Sequence, residues 1–145
     1  MKKLFVMAPL FALLVALGAV ASEVKLEGVK CLIAGRPIAA DKAADYKGAK
    51  VYFCCGNCLG KFNKVAKPFA AKANRQLVGT SQAKQKACPL SGAPCNVSVE
   101  DGVKIGFCCN NCLGKYNDAT AEERLNFVFS DAAFAKGFEV NKARE

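Results

Sequence analysis

The chain has 145 residues, with 21 basic and 12 acidic side chains and a net charge of +9. It contains nine cysteines, two methionines and no histidine, so histidine-rich and methionine-rich copper sites are excluded. Cysteine, carboxylate and backbone groups remain as metal ligands.

The N-terminal segment, residues 1–21, has the three parts of a secretory signal peptide. Lys2 and Lys3 precede an apolar run at 4–18, and Ala-Val-Ala at 19–21 is a small-residue cleavage box. We expect cleavage after Ala21 and a periplasmic or secreted location. The alternative is an uncleaved membrane anchor, since the apolar run is barely long enough to span a bilayer. A membrane is therefore a predicted partner only through this segment.

The charge of the remaining chain does not predict a nucleic-acid partner. Removing Lys2 and Lys3 from the 21 basic residues leaves 19 against 12 acidic residues, a net charge of +7. The lysines are scattered along the sequence, and the chain has neither an arginine cluster nor a known nucleic-acid-binding motif. We interpret the basic residues as a solvated surface and expect no binding of nucleic acid.

Residues 53–63 and 107–117 repeat one another. The first copy reads FCCGNCLGKFN and the second reads FCCNNCLGKYN. A lone cysteine, Cys31 or Cys88, precedes each copy and is followed four residues later by Gly-x-Pro. The repeat predicts two modules, at residues 22–80 and 88–145, joined by a polar linker at 81–87. Modules of this size usually need a metal ion, disulfides or a partner for stability.

The predicted elements repeat with the cysteines. An alternating apolar and polar pattern predicts a short strand at 24–29, and strands rich in β-branched and aromatic residues are predicted at 49–53 and 102–107. Helices are predicted at 57–66 and 111–119. Thr120 and Glu123 form a capping-box pattern for a further helix, and Phe134 and Phe138 share a last short one. The predicted fold class is α+β, with a β-hairpin followed by a helix in each module and extra C-terminal helices.

The cysteines fall where a metal site can form. Cys54 ends a predicted strand, and Cys58 lies in the first turn of the next helix, where unpaired N–H groups favour thiolates. Cys31 can fold back from the turn before the hairpin and supply a third sulfur. Copy two repeats this arrangement with Cys88, Cys108 and Cys112. We therefore predict two three-cysteine metal sites.

The fourth ligand of each site is left open. Cys55 and Cys109 are candidates, although neighbouring strand residues point to opposite faces. Cys95 has no counterpart in copy one, and it either completes site two or is an unpaired thiol. Three thiolates suit Cu(I), whereas a closed site of four cysteines suits zinc. The sequence does not separate zinc from copper.

These residues resemble the TRASH and YHS domains. The resemblance rests on Tyr46-x-Gly48 and on an aromatic residue followed by Phe53-Cys54-x3-Cys58-x3-Phe62. It implies small treble-clef-like modules that bind heavy metals through three cysteines, in tandem copies within secreted bacterial proteins. Copy two lacks the Tyr-x-Gly, and the tyrosine-histidine-serine residues that name the YHS domain are not in this sequence.

The predicted function is sequestration, buffering or trafficking of zinc or Cu(I), with a metal donor or acceptor protein as a further partner. The alternative is an interaction module in which metal or disulfides only stabilise the fold, since cysteines of small exported domains usually form bridges. A redox Cys-x-x-Cys pair is a third reading. No enzyme is predicted, because the chain has no histidine base, glycine-rich phosphate loop or activated serine.

Overall fold

A computed structural model describes residues 23–141 of the chain. The predicted signal peptide at residues 1–21 lies outside the described residues. No helix within residues 23–141 is both long and apolar enough to cross a membrane.

Helices and strands alternate along the chain, which confirms the α+β class. The elements are β1 (Ala39–Tyr46), β2 (Ala49–Phe53), α1 (Gly56–Lys64), a 3-10 turn (Lys67–Phe69), α2 (Ala70–Gly79), β3 (Ala83–Gln85), β4 (Val97–Glu100), β5 (Lys104–Phe107), α3 (Asn110–Asp118), α4 (Ala121–Phe129), α5 (Asp131–Gly137) and β6 (Phe138–Val140). The helices predicted after each cysteine cluster and after Thr120 are present, within one or two residues of their predicted bounds.

Each copy contains an antiparallel hairpin whose second strand leads into the cysteine cluster. Lys47 and Gly48 join β1 to β2 with φ of 53° and 79°, the left-handed conformation that a two-residue hairpin loop requires. Gly102 adopts a φ of 67° in the loop between β4 and β5. These left-handed residues let the first strand of each hairpin turn back, so that the second strand leads to the cysteines and the following helix.

Glutamine side chains occupy the free edge of each hairpin. Gln76 accepts a hydrogen bond from the backbone N–H of Tyr52 at 2.7 Å and donates to the carbonyl of Tyr52 at 3.0 Å. Gln85 pairs in the same way with Gly106, at 2.7 Å in both directions. Because an edge strand leaves backbone groups unpaired, these amides act as a substitute for a third strand. They hold β2 and β5 in position just before the cysteines.

One hydrophobic core contains residues of both copies. Phe53 and Phe62 pack in copy one with ring centres 5.2 Å apart, and Phe107 and Tyr116 pack in copy two at 5.3 Å. Helix α2 packs against α4 and α5, so the end of the first copy lies on the C-terminal helices of the second. The phenylalanine that ends each second strand and the aromatic residue of each following helix therefore anchor the cysteine-bearing segments to the core.

The predicted strand at residues 24–29 is wrong. The chain turns at Gly28, whose φ is 70°, and the Lys25 N–H donates to the Thr80 carbonyl at 3.0 Å. Only Lys30 forms a bridge, with Pro37. Two apolar residues in alternation are too few to fix a strand when no partner edge is adjacent.

Two other segments differ from expectation. Residues 81–87, predicted as a linker, contain β3, which pairs antiparallel with β6 at the C-terminal end. Phe138, predicted on the last helix, begins β6 instead, and its ring stacks on Phe134 at 5.3 Å. The division of the chain into two modules stays a prediction, and this strand pair joins the predicted linker to the C-terminal end of copy two.

Candidate metal centres

A tight turn presents the first cysteine of copy one. The Cys31 N–H donates to the Arg36 carbonyl at 2.7 Å, and the Gly35 N–H donates back to the Cys31 carbonyl at 2.8 Å. Gly35 closes the turn with a φ of 67°. The turn directs several backbone N–H groups toward the Cys31 sulfur, which is buried.

Copy two builds the same turn around Cys88. The Cys88 N–H donates to the Ala93 carbonyl at 2.8 Å, the Gly92 N–H donates to the Cys88 carbonyl at 2.7 Å, and Gly92 has a φ of 80°. Cys88 is fully buried. The repeated Gly-x-Pro pattern therefore corresponds to a repeated backbone structure.

The remaining thiols come from the junction of strand and helix. Cys54 follows β2, Cys55 is the N-cap of α1 in an extended conformation, and Cys58 lies in the first turn of that helix. Cys108, Cys109 and Cys112 occupy the same positions between β5 and α3. The abrupt change from strand to helix brings sulfur atoms four residues apart to the same side of the junction.

The six cysteines predicted as ligands lie in two triads. The sulfur atoms of Cys31, Cys54 and Cys58 lie within 4.8 Å of one another. The triad of copy two contains Cys88, Cys108 and Cys112 and meets the same limit.

The sulfur spacing suits a single metal ion. Cys54 Sγ lies 3.8 Å from Cys58 Sγ, and the corresponding Cys108–Cys112 distance is 3.6 Å. Thiolates bound 2.3 Å from a tetrahedral zinc ion are about 3.8 Å apart, so each triad could hold a soft metal ion. That these residues act as ligands stays a prediction.

The buried thiol of each triad has a lowered pKa. Burial opposes ionisation of Cys88, but the nearby Ser91 side chain and the backbone N–H groups of Ser91, Cys108 and Leu90 outweigh it and lower the pKa of Cys88 to about 6. For Cys31, burial again opposes ionisation, and the N–H groups of Ala34, Cys54 and Ile33 lower its pKa. A preformed thiolate is the species that binds soft metals.

The helix thiols have the opposite tendency. Desolvation, followed by the neighbouring thiols, raises the pKa of Cys58 and of Cys112 to about 12. Without a metal ion, these groups remain protonated and can donate to the thiolate beside them. Binding of a cation would displace these protons, so metal affinity at both triads depends on pH.

Cys55 and Cys109 lie beside the triads but outside them. Their sulfurs are 3.8 Å from Cys54 Sγ and 3.6 Å from Cys108 Sγ, respectively, and both side chains are exposed. Neither makes a cap hydrogen bond, yet the N–H groups of the helix start face them. The N–H of Cys58 lowers the pKa of Cys55, and that of Cys112 lowers the pKa of Cys109.

Cys95, the third candidate for an additional ligand, is exposed and is not a member of either triad. Its sulfur lies 3.6 Å from Nε2 of Gln85. Burial, followed by the charges of Cys88 and Cys108, raises its pKa. All nine cysteines are free thiols.

Sequence reasoning missed Ser91. Its hydroxyl donates to Cys108 Sγ at 3.1 Å and accepts from the Ala93 N–H at 3.2 Å. The signal that could have identified it is its position three residues after Cys88, where a metal-binding turn often carries a second cysteine. Ala34 occupies the same position after Cys31.

Comparisons of the chain with protein-family models, with characterised proteins and with solved structures find no match. The two triads therefore carry the functional argument. Closely spaced sulfurs are ligands that soft cations prefer, so each triad could hold a soft metal ion.

Proposed function

We propose that this chain is an exported metal-binding protein that sequesters, buffers or hands on zinc or Cu(I) through its two cysteine triads. Site one comprises Cys31, Cys54 and Cys58, and site two comprises Cys88, Cys108 and Cys112. The observation that carries the proposal is the convergence of three sulfurs within 4.8 Å, twice, from segments far apart in the sequence.

Partial exposure supports exchange of the ion. Cys54 and Cys58 are half-buried, and the exposed Cys55 lies next to them. Cys108, Cys112 and Cys109 repeat this arrangement. An incoming thiol of a donor or acceptor protein can reach such a site, since ligand exchange between thiolates requires direct contact with the ion.

The shared core supports a functional role over a purely stabilising one. A buried cluster that joins both copies gives the fold a source of stability besides the cysteines. The fold therefore depends less on a metal ion or a disulfide for its stability than two separate small modules would. The alternative, in which the ion only stabilises an interaction module, predicts that metal removal unfolds the chain.

The order of elements supports kinship with treble-clef modules of the TRASH and YHS type. In each copy, a glycine-closed turn carries the first cysteine, a hairpin follows, and the first turn of a helix carries the last cysteine. We propose this relationship for both copies. Export through the segment at 1–21 is proposed from its sequence pattern.

Single-cysteine variants test the site assignments. We expect Cys54→Ser to reduce the bound metal by one ion per chain, because it removes one of the three sulfurs of site one. Cys108→Ser should reduce it by one at site two. Cys95→Ser is the matched control and should keep full stoichiometry, since Cys95 lies outside both triads. Unchanged metal content in Cys54→Ser and Cys108→Ser would refute the two sites.

An exchange experiment separates trafficking from stabilisation. The metal-loaded protein is mixed with a competing dithiol peptide while metal transfer and circular dichroism are followed together. A trafficking site gives up its ion while the helical signal persists. Loss of the helical signal in step with metal transfer would favour the stabilising alternative.

A further inference from the structure

The two sites share a backbone and differ in one side chain. The turns at Cys31 and Cys88 have matching hydrogen bonds and a glycine with positive φ at the same position. Ala34 and Ser91 stand third after these cysteines, and both residues are exposed. Because the backbones match, the two Cβ atoms take equivalent places beside the sulfurs. Site two thus has a hydroxyl where site one has only a methyl group.

The Ser91 hydroxyl is directed at the sulfurs of site two. It donates to Cys108 Sγ at 3.1 Å, and its oxygen is fixed by the Ala93 N–H at 3.2 Å. A hydroxyl oxygen has two lone pairs, so one remains free after the Ala93 contact. In a tetrahedral site with sulfur at 2.3 Å and oxygen at about 2.1 Å, neighbouring oxygen and sulfur ligands lie about 3.6 Å apart. Ser91 Oγ lies about 0.5 Å closer to Cys108 Sγ than this, so its side chain would have to move away from that sulfur to serve as the fourth ligand.

We propose that residues 34 and 91 determine the metal preference of the two sites. Ser91 supplies an oxygen at the fourth position of site two and makes it a zinc site. Ala34 leaves site one with three thiolates, the coordination that suits Cu(I). The inference rests on the proposed function and extends it, since the chain then carries two chemically different sites rather than two equal ones.

The other thiols near site two do not explain a difference between the sites. Cys109 lies 3.6 Å from Cys108 Sγ, but its counterpart Cys55 lies 3.8 Å from Cys54 Sγ, so this thiol is common to both sites. Cys95 has no counterpart, but its sulfur contacts Gln85 at 3.6 Å and lies outside the triad. Ser91 is the group that both contacts a triad sulfur and lacks an equivalent in copy one.

Affinities for zinc and Cu(I) test this assignment. The protein is expressed from its full sequence and kept reduced. It is then titrated with each metal in competition with a chromophoric chelator of known affinity. We expect two zinc dissociation constants that differ by about tenfold or more, the size of effect typical of a group that supports a metal site. Ser91→Ala should weaken the tighter zinc site by a similar factor and change Cu(I) affinity less than about threefold.

Two further variants complete the test. Ala34→Ser should strengthen the weaker zinc site, because it supplies the missing hydroxyl on the same backbone. Cys95→Ser is the control and should change neither metal. The assignment would be overturned if Ser91→Ala left zinc affinity unchanged or reduced zinc and Cu(I) affinity equally. It would also be overturned if Ala34→Ser gave no gain in zinc affinity, or if Cys95→Ser reduced zinc affinity. A wild-type chain that binds neither ion would instead refute the proposed function itself.

Discussion

At the residue scale, nearby hydrogen-bond donors lower the pKa of some thiols, and desolvation raises the pKa of others. The turn after Cys88 places backbone N–H groups and the Ser91 side chain beside a buried sulfur, and together they outweigh the cost of burying a charge. Cys112, a few ångströms away, lacks such donors, and its pKa rises to about 12 through desolvation. The triad of copy two thus combines a ready thiolate at Cys88 with a protonated thiol at Cys112, which prepares it to exchange a proton for a metal ion.

Stability of the metal-free protein should increase with pH. The pKa of Cys88 is about 6 in the folded chain against an ordinary 9.0, so between these values the unfolded chain holds more protons. The free energy of unfolding therefore rises from pH 6 toward pH 9, and this contribution is lost as pH falls through about 6. Cys31, whose pKa is also lowered, acts in the same direction.

Chemical denaturation with reductant and chelator at several pH values measures this dependence. Ser91→Ala should flatten it, since the Ser91 hydroxyl is the first of the groups that lower the pKa of Cys88. A denaturation midpoint that falls as pH rises from 6 to 9 would contradict the assignment of the thiolate to Cys88.

The candidate site could be predicted at this scale only where residue type and spacing repeat. Cysteine has few roles besides metal, disulfide or redox chemistry, so Cys31, Cys54 and Cys58 could be grouped from the sequence alone. Ser91 could not, because serine is common in turns and nothing in its neighbours distinguishes a ligand from a turn former. Its orientation toward Cys108 depends on the hydrogen bond from Ala93, which only the folded turn provides.

Helix α4 shows at the element scale how a local signal fixes a boundary. The Thr120 side chain accepts from the Glu123 N–H, and the Glu123 carboxylate accepts from the Thr120 N–H at 2.8 Å. Thr120 and Glu123 are three residues apart in the sequence, so this capping box was predictable without knowledge of the tertiary structure.

Removal of the capping hydroxyl should destabilise the protein. We expect Thr120→Ala to lower the free energy of unfolding by about 1 kcal/mol, because an N–H at the start of α4 loses its acceptor. Ser130→Ala is the matched control at the N-cap of α5, where the side chain makes no cap hydrogen bond, and it should have a smaller effect. Urea denaturation compares the two variants. Equal losses would show that the capping box contributes nothing.

Elements that depend on distant partners were not predictable. Strand β3 has three residues and exists because β6 pairs with it across more than fifty positions of sequence. Neither segment has a periodicity long enough to indicate a strand. The pattern at 24–29 failed for the converse reason: its alternation is present, but the chain turns at Gly28 and forms only the isolated bridge between Lys30 and Pro37.

The two copies form one packing unit at the scale of the whole molecule. Asn74 on α2 is fully buried, and its amide donates to the Phe129 carbonyl on α4 at 2.8 Å. The same amide reaches Asp131 at 3.1 Å, and Lys47 binds that carboxylate at 2.7 Å. Polar contacts of this kind, in addition to the shared core, connect the end of copy one to the C-terminal helices of copy two.

The copies should therefore unfold together. We expect the whole chain to show a single cooperative transition in urea, with fluorescence and circular dichroism coincident. A fragment of residues 23–80 should remain unfolded without metal, because the buried face of α2 would be exposed to water. An isolated fragment that folds by itself would instead support two independent modules joined by a linker.

Six of the nine cysteines are proposed to bind two metal ions, one in each triad. Native mass spectrometry of the protein, expressed with residues 1–21 and purified without chelator or reductant, measures this binding. We expect a chain that begins after Ala21 and carries two bound ions, with its cysteines still reduced. The added mass identifies each ion, and one zinc with one copper is the composition expected from Ala34 and Ser91. A metal-free mass that is short by two hydrogens for each of several cysteine pairs would contradict the claim and assign the cysteines to disulfides.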